Sequence, residues 1–328
     1  MKNSDVALDL GTANTLLCIR DGEIITNQPS SIEVSLDAWL AEQLKKDSAR
    51  DDASNGNSVL VRPVTKGVVT DIEAASTLLK PMLLRFRRFG FGRPRVLACT
   101  PADASDVERS ALIKSIRGAG ASQVAVVPEP LAAAIGAGLD MSSPYAQMLV
   151  DIGDGVTDVA VIRAGEIIST ATARTACSDL HAAVLDLMVG RYRVWLLPRE
   201  AERLTQEIGA GRGPFARTSL TAIGVDCLTG CRKSVAVNAE EVSEALTPVV
   251  DKIVGMIAKA VRDLPDETAS EVIESGICLT GGGACLPGMA ARIASETLVD
   301  VSLAPDPLRS VIRGAQQMLA SDLTHARG

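Results

Sequence analysis

Two stretches of this chain are nearly the same, and that repetition limits the fold more than any other feature. The first is Asp9-Leu10-Gly11-Thr12-Ala13-Asn14-Thr15, continuing into Ile19-Arg20-Asp21-Gly22-Glu23-Ile24-Ile25-Thr26. The second is Asp151-Ile152-Gly153-Asp154-Gly155-Val156-Thr157-Asp158, continuing into Ile162-Arg163-Ala164-Gly165-Glu166-Ile167-Ile168-Ser169. The offset is 142 residues at the aspartates and 143 in the later halves, so the copies slip by one residue. Each copy reads as a strand, a small-residue turn opened by a carboxylate, a second strand, a tight glycine turn and a third strand. A duplicated hairpin of this kind implies two related half-molecules facing each other across a cleft.

The turns suit phosphate. Gly11, Gly153 and Gly155 lack a Cβ, so backbone amides can face a ligand. Successive N–H groups in such turns form an anion nest, and Thr12, Thr15 and Thr157 add hydroxyls. Asp9 and Asp151 would repel phosphate, a conflict that a divalent cation between them resolves. Mg2+ keeps several waters and uses few protein carboxylates, which fits a pair of single aspartates. The alternative is two ordinary hairpins whose aspartates serve the turn backbone. The presence of both copies, each followed by a matching hairpin, weighs against it.

A chain of 328 residues suggests two domains. Hydrophobic residues make up 47% and aromatics only 2%, so the cores must be built from Ala, Val, Ile and Leu. The net charge of −7 argues against nucleic acid as a partner. Seven cysteines are scattered through apolar segments, and only Cys227 and Cys231 lie close in sequence. With two histidines in the chain, reduced thiols in a cytoplasmic compartment are the simpler reading than a zinc site. The chain enters the strand Val6–Leu10 almost at once, so no leader is expected, and no run reaches the ~18 apolar residues of a membrane span.

Strands alternate with helices after each opening meander, which indicates α/β domains with mixed sheets. The first domain spans 1–142, with a divergent insertion at about 35–60 holding a short amphipathic helix, Asp37–Ala49, and a polar loop. Helices are expected over Ile72–Arg88, Ser105–Gly118 and Pro130–Ala137, and strands over Arg95–Thr100 and Val124–Val127. Ser105 and Glu108 make a capping box. The second domain spans 143–328, with an insertion at about 199–240. Its helices are expected at 179–196, 199–208, Glu240–Asp263, 287–297 and 307–320, with irregular structure and short strands over 211–238. Ile277–Thr280 reads as a strand running into Gly281-Gly282-Gly283.

These motifs carry a specific resemblance. Asp9-Leu10-Gly11-Thr12-Ala13-Asn14-Thr15 resembles the first phosphate loop of the MreB family of bacterial actin homologues. The run Glu129-Pro130-Leu131-Ala132-Ala133-Ala134-Ile135-Gly136-Ala137-Gly138-Leu139 resembles the segment after that family's central strand. Leu279-Thr280-Gly281-Gly282-Gly283-Ala284 resembles its adenosine loop. Order and spacing match over nearly the whole chain, least well over 35–60 and 211–238.

The resemblance implies an actin-like fold with ATP and Mg2+ between two domains, and ATP-dependent assembly of the protein with itself into filaments. It implies that Asp9 and Asp151 hold Mg2+ through its waters. Thr12, Ala13 and Asn14, with Gly11, would hold one side of the phosphates, and Gly153, Asp154, Gly155 and Val156 the other. Glu129 would position the attacking water in slow ATP hydrolysis. Glu202 and Thr205 would contact the adenosine, and Gly281, Gly282, Gly283 and Ala284 would admit the nucleoside. Four departures stand out: Asp154 and Val156 where the family has glycine and threonine, Thr205 in place of lysine, Cys177-Ser178 before Asp179 in place of two glycines, and the unusual insertion at 35–60.

Glu129 lies between a strand and a helix start, where the positive end of the helix dipole should keep it ionised. Pro130 suits the first helical position. Phe86, Phe89 and Phe91 lie among Arg85, Arg87, Arg88, Arg93 and Arg95 with no intervening acid. Such a patch can insert at an anionic lipid surface; alternatively the phenylalanines pack inward while the arginines face water. With the family resemblance, this implies a cytoplasmic protein at the inner face of the membrane, working with membrane proteins of envelope synthesis to guide cell shape. Two other classes stay open. One is a small-molecule kinase of the same superfamily with Asp154 as base. The other is a non-hydrolysing actin-like adaptor.

Overall fold

The structure is a computed structural model and describes residues 5–20, 22, 24–35, 58–86, 92–210 and 219–320. The first half opens with an antiparallel meander of β1 (Asp5–Leu10), β2 (Asn14–Ile19) and β3 (Ile24–Pro29). Two small hairpins follow: β4 (Ile32–Ser35) with β5 (Ser58–Val61), and β6 (Val64–Thr65) with β7 (Val68–Val69). Then come helix α1 (Ile72–Leu84), β8 (Arg95–Thr100), α2 (Asp106–Gly118), β9 (Gln123–Pro128) and α3 (Glu129–Ala137). Strands β1, β8 and β9 run parallel in a sheet of order β3-β2-β1-β8-β9. Val6, Ala7 and Leu8 of β1 are all buried, because β1 lies at the centre of this mixed sheet with helices over both faces.

The second half repeats the plan. A meander of β10 (Gln147–Ile152), β11 (Thr157–Arg163) and β12 (Glu166–Ala173) leads to α4 (Cys177–Leu187), β13 (Val194–Leu196) and α5 (Pro198–Ile208). Strands β14 (Ser219–Asp226) and β15 (Arg232–Asn238) pair, and α6 (Ala239–Arg262) and α7 (Asp266–Ser275) follow. The chain ends in β16 (Ile277–Thr280), α8 (Met289–Thr297), β17 (Val301–Leu303) and α9 (Ser310–Ala320). The sheet order is β12-β11-β10-β16-β17, which mirrors the first. A bulge interrupts the pairing of the third strand in each meander. The one-residue slip between the copies falls beyond the paired part of the second strand, since Thr15 to Ile19 and Thr157 to Val161 hold the same register against the first strand.

Helices α3 and α9 cross between the two sheets. A Cβ on Gly314 would overlap the Ala132 carbonyl, and one on Gly136 would overlap the Ser310 carbonyl, so the two backbones touch. Around this crossing, Ala7 and Leu97 of the first sheet share one core with Leu149 and Ile162 of the second. The expected division after residue 142 leaves α9 with the second half. In space it packs on the first, where Gln316 Nε2 donates to the Ile19 carbonyl at 2.8 Å.

Several local expectations change. The Ser105–Glu108 capping box forms, with Ser105 N donating to Glu108 Oε2 at 2.7 Å. The helix expected over Ile72–Arg88 ends at Leu84, and Phe86 turns back against the core of the first half. The described part of the segment 211–238, from residue 219 on, is less irregular than its sequence suggests, since β14 and β15 form a regular hairpin. The helix expected over 179–196 breaks into α4, a π-helical turn at Met188–Tyr192 and β13. Helix α7 has no counterpart in the sequence reading. The expected helix Asp37–Ala49 lies outside the described residues.

Candidate functional site

The duplicated turns have the same geometry. Leu10 pairs with Thr15 as Ile152 pairs with Thr157. Gly11 N donates to the Asn14 carbonyl at 3.0 Å, and Gly153 N to the Val156 carbonyl at 2.9 Å. The loops meet face to face: a Cβ on Gly155 would overlap Thr12 Oγ1. Thr12, Ala13 and Asn14 keep solvent-facing surface, as do Gly11, Gly153 and Asp154. Thr15 and Thr157 do not serve as ligand hydroxyls. Both are fully buried, Thr15 bonded to Ser30 Oγ at 2.8 Å and Thr157 to the Thr175 carbonyl at 2.8 Å.

The loop departures leave the backbone path intact. Cys177 N donates to the Gly153 carbonyl at 3.2 Å and Ser178 N to the Asp154 carbonyl at 2.8 Å, so the α4 start holds the second loop. Asp179 Oδ2 accepts the Ala176 amide at 2.9 Å. Asp154 lies 3.9 Å from His181 Nδ1. Burial raises its carboxyl, while His181 and Arg62 pull the other way.

Four carboxylates converge beneath the loops. Asp9 and Asp151 are the last residues but one of β1 and β10, Glu129 begins α3, and Asp158 faces Asp151 across the β10–β11 pair. Burial raises Asp9 and Asp151 to about 7, Asp151 with a further push from Asp9. Asp158 is raised to about 7, again mainly by burial. Thr172 Oγ1 donates to Asp158 Oδ1 at 2.5 Å, but Asp158 Oδ2 is buried with no partner.

Glu129 departs from expectation. Burial first, then Asp9, Asp158 and Asp151, hold its carboxyl well above the ordinary range. A helix N-terminus contributes only about 0.3–1 kcal/mol, which cannot offset desolvation beside three other acids. Helix α3 also begins at Glu129, so Pro130 takes its second position.

This donor set suits a hard cation: oxygen ligands only, short of positive charge, one oxygen unpartnered. Among the described residues no three acids, thiols or imidazoles stand close enough to chelate a metal alone. An ion reached through water and phosphate fits that spacing.

On the second half, Gly281 N donates to the Pro307 carbonyl at 3.0 Å. Gly281 and Gly282 retain exposed surface, and Leu308 Cδ2 would lie 3.7 Å from a Cβ on Gly282. Gly283 and Ala284 instead pack inward; a Cβ on Gly283 would overlap Ile152. On α5, Glu202 is exposed and close enough to raise Asp154. Thr205 is fully buried and spends its hydroxyl on the Ala201 carbonyl at 2.9 Å, so the fold turns it away from any ligand. Phe86 is half-buried and packs inward, which removes it from a lipid-facing patch; Phe89 and Phe91 lie outside the described residues.

The sequence reading assigned no role to Asp158, Lys66 or Arg174. For Asp158 a signal was present, since the first copy has Leu16 at the matching register. Lys66 and Arg174 meet only through the fold: Arg174 Nη1 donates to the Lys66 carbonyl at 2.5 Å.

MreB of Escherichia coli strain K12, a cell shape-determining protein, is 33% identical over 329 residues, covering 97% of this chain and 94% of that protein. Mbl of Bacillus subtilis strain 168 is 31% identical, covering 96% and 95%. The crystal structure of Spiroplasma citri MreB5 bound to AMPPNP matches with a TM-score of 0.85 at 25% identity, over 98% of each chain. The MamK double helical filament shares the fold, with a TM-score of 0.73 at 18% identity over 96% of this chain and 98% of its own. A family model described as MreB/Mbl protein matches residues 3–326, and this chain belongs to that family, with its actin-like fold.

Proposed function

We propose that the protein is an ATP-dependent, filament-forming cytoskeletal protein that guides cell shape. The observation that carries this is the meeting of two equivalent loops above four clustered acids, Asp158 buried and Asp9, Glu129 and Asp151 half-buried. Family membership supports it: relatives are named as cell shape-determining proteins, and the similar MreB5 is solved with AMPPNP and with ADP.

In this reading the loop amides around Gly11 and Gly153–Val156 receive the phosphates, and Gly281 and Gly282 admit the nucleoside. Asp9 and Asp151 would hold Mg2+ through water, and the ion would supply positive charge against the phosphate oxygens. Glu129 orients the attacking water, which requires its carboxylate to be ionised. A cation held by the acid cluster would favour that state by direct attraction to the carboxylate. Hydrolysis is slow and coupled to assembly.

Placement at the inner face of the membrane, with proteins of envelope synthesis as partners, belongs to the same proposal. Among the described residues no helix is long and apolar enough to cross a membrane, so attachment would be peripheral. Phe89 and Phe91 are the residues to test, by flotation of the Phe89→Ser/Phe91→Ser variant with anionic liposomes.

The deciding experiment is negative-stain electron microscopy with anionic lipid, with and without Mg·ATP. Filaments only with ATP support the reading; a folded protein that forms none under either condition overturns it.

A further inference from the structure

We infer that the Lys66–Gly67 turn between β6 and β7 sets the separation of the two phosphate loops, with Lys66 a positioning residue that acts through Asp179. This rests on the nucleotide reading for its consequence, though not for its geometry. The turn touches both loops. Gly67 N donates to Thr12 Oγ1 of the first at 2.9 Å. Against the second, a Cβ on Gly155 would fall 2.8 Å from both Lys66 Cα and Gly67 N, and a Cβ on Gly67 would lie 3.3 Å from Val156 Cβ.

The side chain adds a second hold. Lys66 Nζ lies 2.6 Å from each oxygen of Asp179. Asp179 caps the start of α4, whose next amides donate to Gly153 and Asp154 of the second loop. A continuous chain of bonds therefore runs from Thr12 through Gly67 and Lys66 to Asp179, and on to Gly153 and Asp154. The loops cannot separate unless the Thr12–Gly67 bond or the Lys66–Asp179 pair breaks.

The turn itself is held under constraint. Lys66 has φ +51°, a region that non-glycine residues rarely occupy. Such conformations persist where surrounding bonds over-determine them. Here Arg174 supplies the constraint, gripping the Lys66 carbonyl at 2.5 Å while its other nitrogen pairs with Asp103 at 2.7 Å. Arg174 belongs to the second half and Asp103 to the first, so the same guanidinium spans the halves. Mere surface pairing would not place a strained backbone between two loops and fix it from both sides.

The test uses two readouts on Lys66→Ala and Lys66→Arg. The first is the distance between non-cysteine spin labels at the exposed positions Val107 and Arg199, one on each half, measured without nucleotide. The second is the release rate of a fluorescent ADP analogue. Lys66→Ala should widen the label distances and speed release about tenfold, the scale of a charged hydrogen bond. Lys66→Arg should restore both largely, since a guanidinium can grip the same carboxylate. Unchanged label distances in Lys66→Ala would overturn the inference whether or not the analogue binds. Failure of the wild type to bind any analogue, with distances that widen as expected, would instead sink the nucleotide reading and leave the spacer standing.

Discussion

The two halves share sheet order, the register of their first two strands and even the bulge in the third strand, yet they differ where acids meet the cleft. Asp151 faces Asp158 across β10 and β11, whereas Asp9 faces the buried Leu16 across β1 and β2. The fifth strands show the converse. β9 runs into Pro128-Glu129-Pro130-Leu131, and β17 runs into Pro305-Asp306-Pro307-Leu308. Glu129 sits deep among acids, while Asp306 pairs with Arg313 at 2.8 Å and lies 3.8 Å from Arg309. Duplication thus provides the symmetric pair Asp9 and Asp151. Divergence provides Glu129 from one half and Asp158 from the other. A nucleotide triphosphate has no twofold symmetry, so a cleft built by duplication must break its own symmetry to act on one end of it.

The comparison breaks most sharply at Glu129. If that acid works and its echo does not, Glu129→Gln should slow phosphate release from ATP by about 10³-fold, within the range for losing a positioned acid–base group. Asp306→Asn should leave the rate within about twofold of wild type on the same argument. Equal losses from both would mean that neither acid is special. The helix crossing, by contrast, is a symmetric feature and should respond symmetrically. Gly314→Ala and Gly136→Ala each push a methyl into a carbonyl of the facing helix. Each should cost about 3 kcal/mol in denaturant unfolding, the upper range for overpacking. A much smaller cost at one site would show that the two helices are not equivalent partners.

Asp158 sharpens the comparison through pH. Burial raises its carboxyl from 3.8 to about 7. A raised carboxyl stabilises the fold fully only below its unfolded value, and that stability is lost as pH rises through the folded value. Without Mg2+, the melting temperature should therefore fall between about pH 4 and pH 8. Asp9 and Asp151 push in the same direction and stay in place, so Asp158→Asn should flatten this slope without removing it. Asparagine can still accept from Thr172, and the variant should gain about 2 kcal/mol at pH 8 from losing an unpaired buried charge. A slope identical to wild type would show that Asp158 is already ionised and paired in the fold.

The sequence was informative where backbone rules act locally. The duplicated glycine turns, the Ser105–Glu108 cap and the strand before Gly281 all follow from patterns a few residues long. It was uninformative where contacts are made across the chain. Nothing near Thr205 shows that α5 turns its hydroxyl into the helix, and nothing near Lys66 points to Asp179, 113 positions away. The dipole argument for Glu129 failed for the same reason, because its local helix was visible but Asp9, Asp151 and Asp158 were not yet beside it. Helix α7 went unread because Asp266–Ser275 is mostly polar and buries only Thr268 and Val272. The Pro-Glu-Pro-Leu and Pro-Asp-Pro-Leu echo was in the sequence all along. It gains meaning only once β9 and β17 are seen to occupy the same place in their sheets.

The smallest expected effect tests whether Asp306 is only an echo. Its pair with Arg313 is well exposed, with 49% of the arginine side chain open to solvent. Screening leaves such a pair worth less than about 0.5 kcal/mol. Arg313→Ala should therefore shift unfolding by no more than that, and hydrolysis should stay at the wild-type rate. The variant is informative because it removes the nearer of two arginines from a carboxylate that stands where Glu129 stands in the other half. If that removal changed hydrolysis, the second half would hold an acid kept in check by arginine, and the asymmetry would be a matter of pairing rather than of position. If nothing changes, the difference between Glu129 and Asp306 lies in position: one acid sits among Asp9, Asp151 and Asp158, and the other lies half-buried beside two arginines.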